Sequence, residues 1–95
     1  IFDVSGYLNG EFIGCEVKLT TVSESDMYCD LNSNKTKQQL LDYITTWNDP
    51  YWRYKVEGDP IVKKGLIISI HVDKQTGQFK LVSKWVEAAQ QGGGK

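Results

Sequence analysis

The sequence predicts an α+β domain, an antiparallel β-sheet with one α-helix packed on it, in the order ββ-α-βββ. Three stretches carry that expectation. Leu66, Ile68, Ile70 and Val72 alternate with Ile67, Ser69 and His71. After Asp73-Lys74-Gln75-Thr76-Gly77, residues Phe79, Leu81 and Trp85 alternate with Lys80, Val82 and Lys84. Strand side chains point to opposite faces with a period of two, so both runs read as strands, and Gly77 suits the left-handed backbone their turn needs. Asn9-Gly10 marks a second hairpin, because both residues tolerate the conformation of a type I′ turn. Leu40, Leu41, Ile44 and Trp47 recur at helical spacing and give residues 36–47 one apolar side.

Taken in order, Phe2 to Leu8 reads as the first strand and Glu11 to about Val22 as its return. The return strand sets Ile13, Cys15, Val17 and Leu19 inward, with Glu16, Lys18 and Thr20 on the other face. Gly6 and Gly14 read as bends or a bulge. Residues 23–33 are polar, carry Asp26 and Asp30, and are expected to form a loop. Thr36 and Gln39 make a T-x-x-Q capping box that starts the helix. Pro50 ends it, since it disfavours helical geometry at Asp49 and has no N–H to donate.

Residues 51–57 alternate again, Trp52, Tyr54 and Val56 against Arg53, Lys55 and Glu57, and are expected to form a strand. Gly58-Asp59-Pro60 breaks it, and Ile61-Val62 reads as a short edge strand or an extended loop. Residues 1–89 are expected to form a single domain. Residues 90–95, Gln-Gln-Gly-Gly-Gly-Lys, have nothing to bury and are expected to be a disordered tail.

At 95 residues there is room for one modest core. A net charge of −1 argues against a nucleic-acid or anionic-membrane binder driven by bulk electrostatics. No apolar run approaches the roughly 20 residues of a membrane span, so no membrane partner is expected. Cys15 and Cys29 are the only cysteines. An even pair in a short chain that begins at Ile1 rather than Met points to a disulfide and an oxidising compartment. Such a bridge, closing about 15 residues, would contribute roughly 3 kcal/mol in the chain-entropy model. Two reduced, buried thiols are the alternative. Asn34-Lys35-Thr36 is a glycosylation sequon and fits secretion. With one histidine and no C-x-x-C spacing, no metal or other cofactor is expected.

His71 is the only side chain that ordinarily titrates near neutrality and is the first candidate for a general base, although a solvent-facing strand histidine is the simpler reading. Tyr51-Trp52-Arg53-Tyr54 is the densest aromatic-basic cluster, of a kind that stacks bases or anchors a protein partner. On the exposed-face pattern the expected binding residues are Tyr51, Arg53, Lys55 and Glu57, with His71 and Lys84 nearby.

The Asn9-Gly10 hairpin, the helix over residues 36–47, Tyr51-Trp52-Arg53-Tyr54 before Glu57-Gly58, and the closing hairpin from Gly65 to Trp85 give the chain a resemblance to a known family. It resembles the RNase-like secreted effectors of powdery mildew fungi, catalytically dead relatives of small fungal guanyl-preferring ribonucleases. The resemblance implies a ribonuclease-like sheet and a secreted, monomeric virulence protein, translocated into the host cell. Its partner would be a host protein or a plant immune receptor, with weak RNA binding. Arg53 stands where the active ribonucleases have their first catalytic histidine, and Trp85 or a neighbour where they have the second. Neither side chain can shuttle a proton, so the implied protein is not an enzyme. The family's usual bridge to the C-terminus has no counterpart. A weak ribonuclease using His71 with Glu57 is the enzymatic alternative, and a β-grasp-like module or killer toxin fits the element order as well.

Overall fold

The computed structural model describes residues 1–88, and over them the chain is α+β. The elements are β1 (Val4–Leu8), β2 (Glu11–Thr20), α1 (Glu24–Leu31), α2 (Asn34–Asn48), β3 (Lys64–Val72) and β4 (Phe79–Glu87). The strands form one sheet in the order β1-β2-β3-β4. Both outer pairs are antiparallel, but β2 and β3 run parallel, from Gly14 beside Gly65 to Thr20 beside His71. The expected antiparallel sheet is therefore corrected to a mixed one. A parallel neighbour needs a crossover of a dozen or more residues, and the helices together with residues 49–63 supply it. The β-grasp alternative needed the terminal strands side by side at the centre, whereas β1 and β4 lie at opposite edges.

Both hairpins sit where the turn residues put them. Asn9 and Gly10 have φ of 52° and 81°, the left-handed values of a type I′ turn. In the second hairpin the Gly77 N–H donates to Asp73 O at 2.7 Å, with Gly77 at φ 75°. The Asp73 carboxylate accepts from the N–H groups of Gln75 and Thr76. Those bonds favour its charged form and hold its pKa below the ordinary value.

The single helix and the loop over residues 23–33 are corrected by α1. Ser23 caps it, its Oγ accepting from Asp26 N–H at 3.1 Å, and Glu24 and Asp26 place negative charge in the first turn. Met27 and Leu31, four apart, bury its one apolar stripe. The cap of α2 is Ser33 rather than Thr36: Ser33 Oγ accepts from Thr36 N–H, and Thr36 is itself buried.

Residues 51–57 are corrected from a strand to a run of turns. Trp52 N–H donates to Asp49 O, Lys55 N–H to Trp52 O, and Val56 N–H to Asp59 Oδ2, so these backbone donors are used locally and are not free to form a ladder. The sheet accordingly has four strands rather than five. Ile61-Val62 is extended loop. Asn48 Oδ1 accepts from Val62 N–H at 2.9 Å and Asn48 Nδ2 donates to Val62 O at 2.7 Å, so one side chain replaces a strand partner. The tail expected at residues 90–95 lies outside the described residues.

Both helices cover the same face of the sheet. That face carries Phe12, Gly14, Glu16 and Lys18 of β2, Gly65, Ile67 and Ser69 of β3, and Val82 and Val86 of β4. Leu31, Leu40, Ile44, Val62, Ile67 and Val86 form the core between helices and sheet. Gly14 and Gly65 are neighbours across the parallel pair, and both are needed as glycine. A Cβ on Gly14 would lie 2.4 Å from the Phe2 ring, and one on Gly65 2.7 Å from Leu40 Cδ2. Ser69 Oγ donates to Met27 O at 2.7 Å, tying α1 to β3.

The expected Cys15–Cys29 bridge is absent, and both thiols are free. Cys15 is buried in β2 on the face away from the helices, and Cys29 is exposed on α1, which packs on the other face. Burial pushes the Cys15 thiol pKa up, making it a poor nucleophile.

Candidate functional site

The expected binding residues do not converge. Residues 51–57 follow the C-terminal end of α2, where rings form a connected chain. Trp47 lies 5.8 Å from Phe12 and 6.0 Å from Trp52, and Trp52 lies 5.6 Å from Tyr54. Lys55 Nζ donates to Trp47 O, and Trp47 Nε1 donates to Pro60 O at 2.8 Å. Lys55 is thus a fastening of the segment rather than a free cation. Arg53 donates to Tyr54 Oη and lies over that ring, 4.7 Å from its centroid, while Tyr51 and Glu57 are exposed. Phe12 anchors this cluster at the end where β2 and β3 begin.

His71 lies at the other end, paired with Thr20 and Lys80. It is seven positions beyond Lys64, about 23 Å along the strand. Lys84 pairs with Ile67 at mid-sheet, on the helix side, and its Nζ donates to Asn32 Oδ1 at 3.4 Å. Four positions earlier on β4, Lys80 bonds Glu24 at 3.0 Å and sits 5.7 Å from the Tyr28 ring. Both β4 lysines therefore line α1. Among the described residues no group of His, Cys, Asp and Glu is arranged to hold a metal ion, and no helix is long and apolar enough to cross a membrane.

What the strands do bring together is the helix-free face. Directly paired residues share a face, so the register lays out rows across the sheet. Val4, Cys15, Leu66 and Trp85 form one row, Val17, Ile68 and Ser83 the next, and Leu19, Ile70 and Leu81 a third, with Val72 and Phe79 beyond. No charged side chain falls within these rows. Glu11, Lys64 and Glu87 carry the charge of this face and lie at the end where β2 and β3 begin. There Lys64 pairs with Glu11 at 3.3 Å and lies 4.5 Å from the Trp85 ring centroid. Val4 is 55 % exposed, Leu19 61 %, Phe79 70 %, Leu81 51 % and Trp85 44 %. Among the described residues no layer covers these side chains.

These rows were present in the sequence as the alternation of Leu66, Ile68, Ile70 and Val72. On β2 the set Ile13, Cys15, Val17 and Leu19, expected to point inward, lies on this same helix-free face, with Ile13 and Cys15 buried and Leu19 open to solvent. No protein-family model, no curated protein and no solved structure matches the chain.

Proposed function

We propose that this protein is a non-catalytic binding domain that engages an apolar protein surface through the helix-free face of its sheet. The observation that carries the reading is the set of adjacent, charge-free rows centred on Ile68, with large apolar side chains open to solvent at their edges. Contiguous apolar patches of several hundred Å² mark interaction surfaces. The chemistry favours protein over nucleic acid. Sheets that read single strands set aromatic rings among cations, whereas here the rings lie on the edge strand β4 and the centre is aliphatic.

A host protein or immune receptor, secretion and delivery into a host cell belong to the narrower effector reading. That reading drew on the Asn9-Gly10 hairpin, the helix over residues 36–47, the Tyr51-Trp52-Arg53-Tyr54 stretch and the closing hairpin. Both hairpins and the helix are in place, while residues 51–57 form a run of turns and α1 adds a second helix. The enzymatic alternative asks His71 to work with Glu57, whose segment packs at the opposite end of the sheet.

Capture by immobilised protein tests the reading. Partner binding is expected to be lost in Leu81→Lys and Leu19→Lys and retained in Tyr51→Ala and Arg53→Ala. The reverse pattern would overturn the assignment of the face. Cleavage of RNA by the purified protein, abolished in His71→Ala, would overturn the non-catalytic reading.

A further inference from the structure

We infer that the occupant of the open face is a second copy of this chain, the two sheets stacking about a two-fold axis near Ile68 into a homodimeric β-sandwich. The inference rests on the face-binding reading and adds the identity of the partner. Among the described residues nothing supplies the cover, since both helices lie on the opposite face.

The face is complementary to itself. A half-turn about Ile68 lays the Cys15–Leu66–Trp85 row of one copy over the Leu19–Ile70–Leu81 row of the other, apolar on apolar. It also sends the Glu11, Lys64 and Glu87 ends of the two copies to opposite ends of the sandwich, so no like charges meet, and the oppositely charged Lys64–Glu87 pair of each copy falls at the rim over Val72 and Phe79 of the other. An interface of this kind, in which each copy presents the same patch, is the commonest way soluble chains associate.

The dimensions favour a sheet over a helix as the cover. β2, β3 and β4, nine or ten residues long at about 3.3 Å each and about 4.8 Å apart, present a footprint of roughly 14 by 30 Å, and the five residues of β1 widen it to about 19 Å along half its length. A single helix, about 10–12 Å across, would leave part of that width bare. A second sheet matches it. Two such footprints remove about 1,000 Å² before corrugation is counted, about the area a specific interface has to clear. Sheets stack about 10 Å apart with strand directions within about 30°.

Sedimentation velocity on the full chain over a wide concentration range tests this, with far-UV circular dichroism to establish folding. The wild type is expected to reach twice the 10.8 kDa chain mass. Ile68→Lys at the centre and Leu81→Lys at the edge should sediment as folded monomers, and Lys37→Glu on the exposed side of α2 should remain dimeric. A dimer that survives both face lysines would overturn the inference and count against the face reading. A wild type that stays monomeric throughout overturns the inference alone if it binds an apolar dye that both lysines abolish. It overturns both readings if no such dye binding occurs.

Discussion

One sheet presents two faces that differ in what covers them. On β3, Gly65, Ile67 and Ser69 are buried under the helices, while Leu66, Ile68 and Ile70, one position along, are only half-buried on the other side. The covered set is the less apolar of the two, since it contains a glycine, a serine and then His71. On β2 it adds Glu16 and Lys18, whose charges pair at 3.3 Å. Burial in this chain therefore follows fit. Gly14 and Gly65 open a flat patch into which Phe2 and Leu40 descend, and the Ser69 hydroxyl meets a carbonyl of α1. The more apolar face has no such patch and is left for association.

The largest expected effect separates the faces by truncation. Leu40 and Ile67 are 0 % and 1 % exposed, so Leu40→Ala or Ile67→Ala should each cost about 2–5 kcal/mol in denaturant unfolding of dilute protein. Leu81→Ala should cost less than about 1 kcal/mol in the same dilute samples, because Leu81 already meets solvent. Equal losses at the two sites would erase the distinction.

A methyl group added to a glycine sharpens the same contrast. Gly65→Ala would set its methyl 2.7 Å from Leu40 Cδ2 and 3.0 Å from the Gly14 carbonyl oxygen, which cannot swing away. A loss of about 1–3 kcal/mol by thermal or denaturant unfolding is expected. Gly6 lies on the open face with nothing within 4 Å of its would-be Cβ. Gly6→Ala should be neutral or stabilise by about 0.4–1 kcal/mol through the unfolded chain.

The smallest expected effect concerns the buried charge. Burial, and then the Asp3 carboxylate, raise the Glu16 pKa above its ordinary 4.5, against the opposing pull of Lys18. Below that ordinary value the group is protonated whether the chain is folded or not, and it adds no pH dependence. As pH rises above it the unfolded chain ionises first, so stability falls until the folded group ionises too. Glu16→Gln should flatten that part of the stability–pH curve and gain on the wild type as pH rises from 4 to 7. A curve unchanged by the substitution would contradict the raised value.

Much of the fold was legible because local signals and tertiary structure agree. Asn9-Gly10 and Gly77 each demand a left-handed turn, and the Leu40–Ile44–Trp47 stripe demands a helix that Pro50 ends. Residues 24–31 concealed their helix because it has only Met27 and Leu31 to bury, and its Ser23–Asp26 cap looks like any polar turn. Residues 51–57 alternate as a strand does, yet prolines 50 and 60 and Gly58, with a φ of 91°, hold them in turns. The parallel pairing of β2 with β3 was hidden because alternation carries no direction. The candidate face was written in the sequence as a row of β-branched and leucine residues. Its side of the sheet was not, because that depends on where two glycines from distant strands meet.

The measurement that bears most directly on the account is the solvent accessibility of isoleucine and leucine methyl groups, read by NMR with a soluble paramagnetic probe as the protein is concentrated. The methyls of Ile67 and Ile44 should be shielded at every concentration, and those of Ile68, Ile70 and Leu81 open in dilute solution and shielded when concentrated. Methyls of Ile68 and Leu81 that stay open at every concentration, while a partner or a second copy is bound, would contradict the claim that this face is where the protein associates.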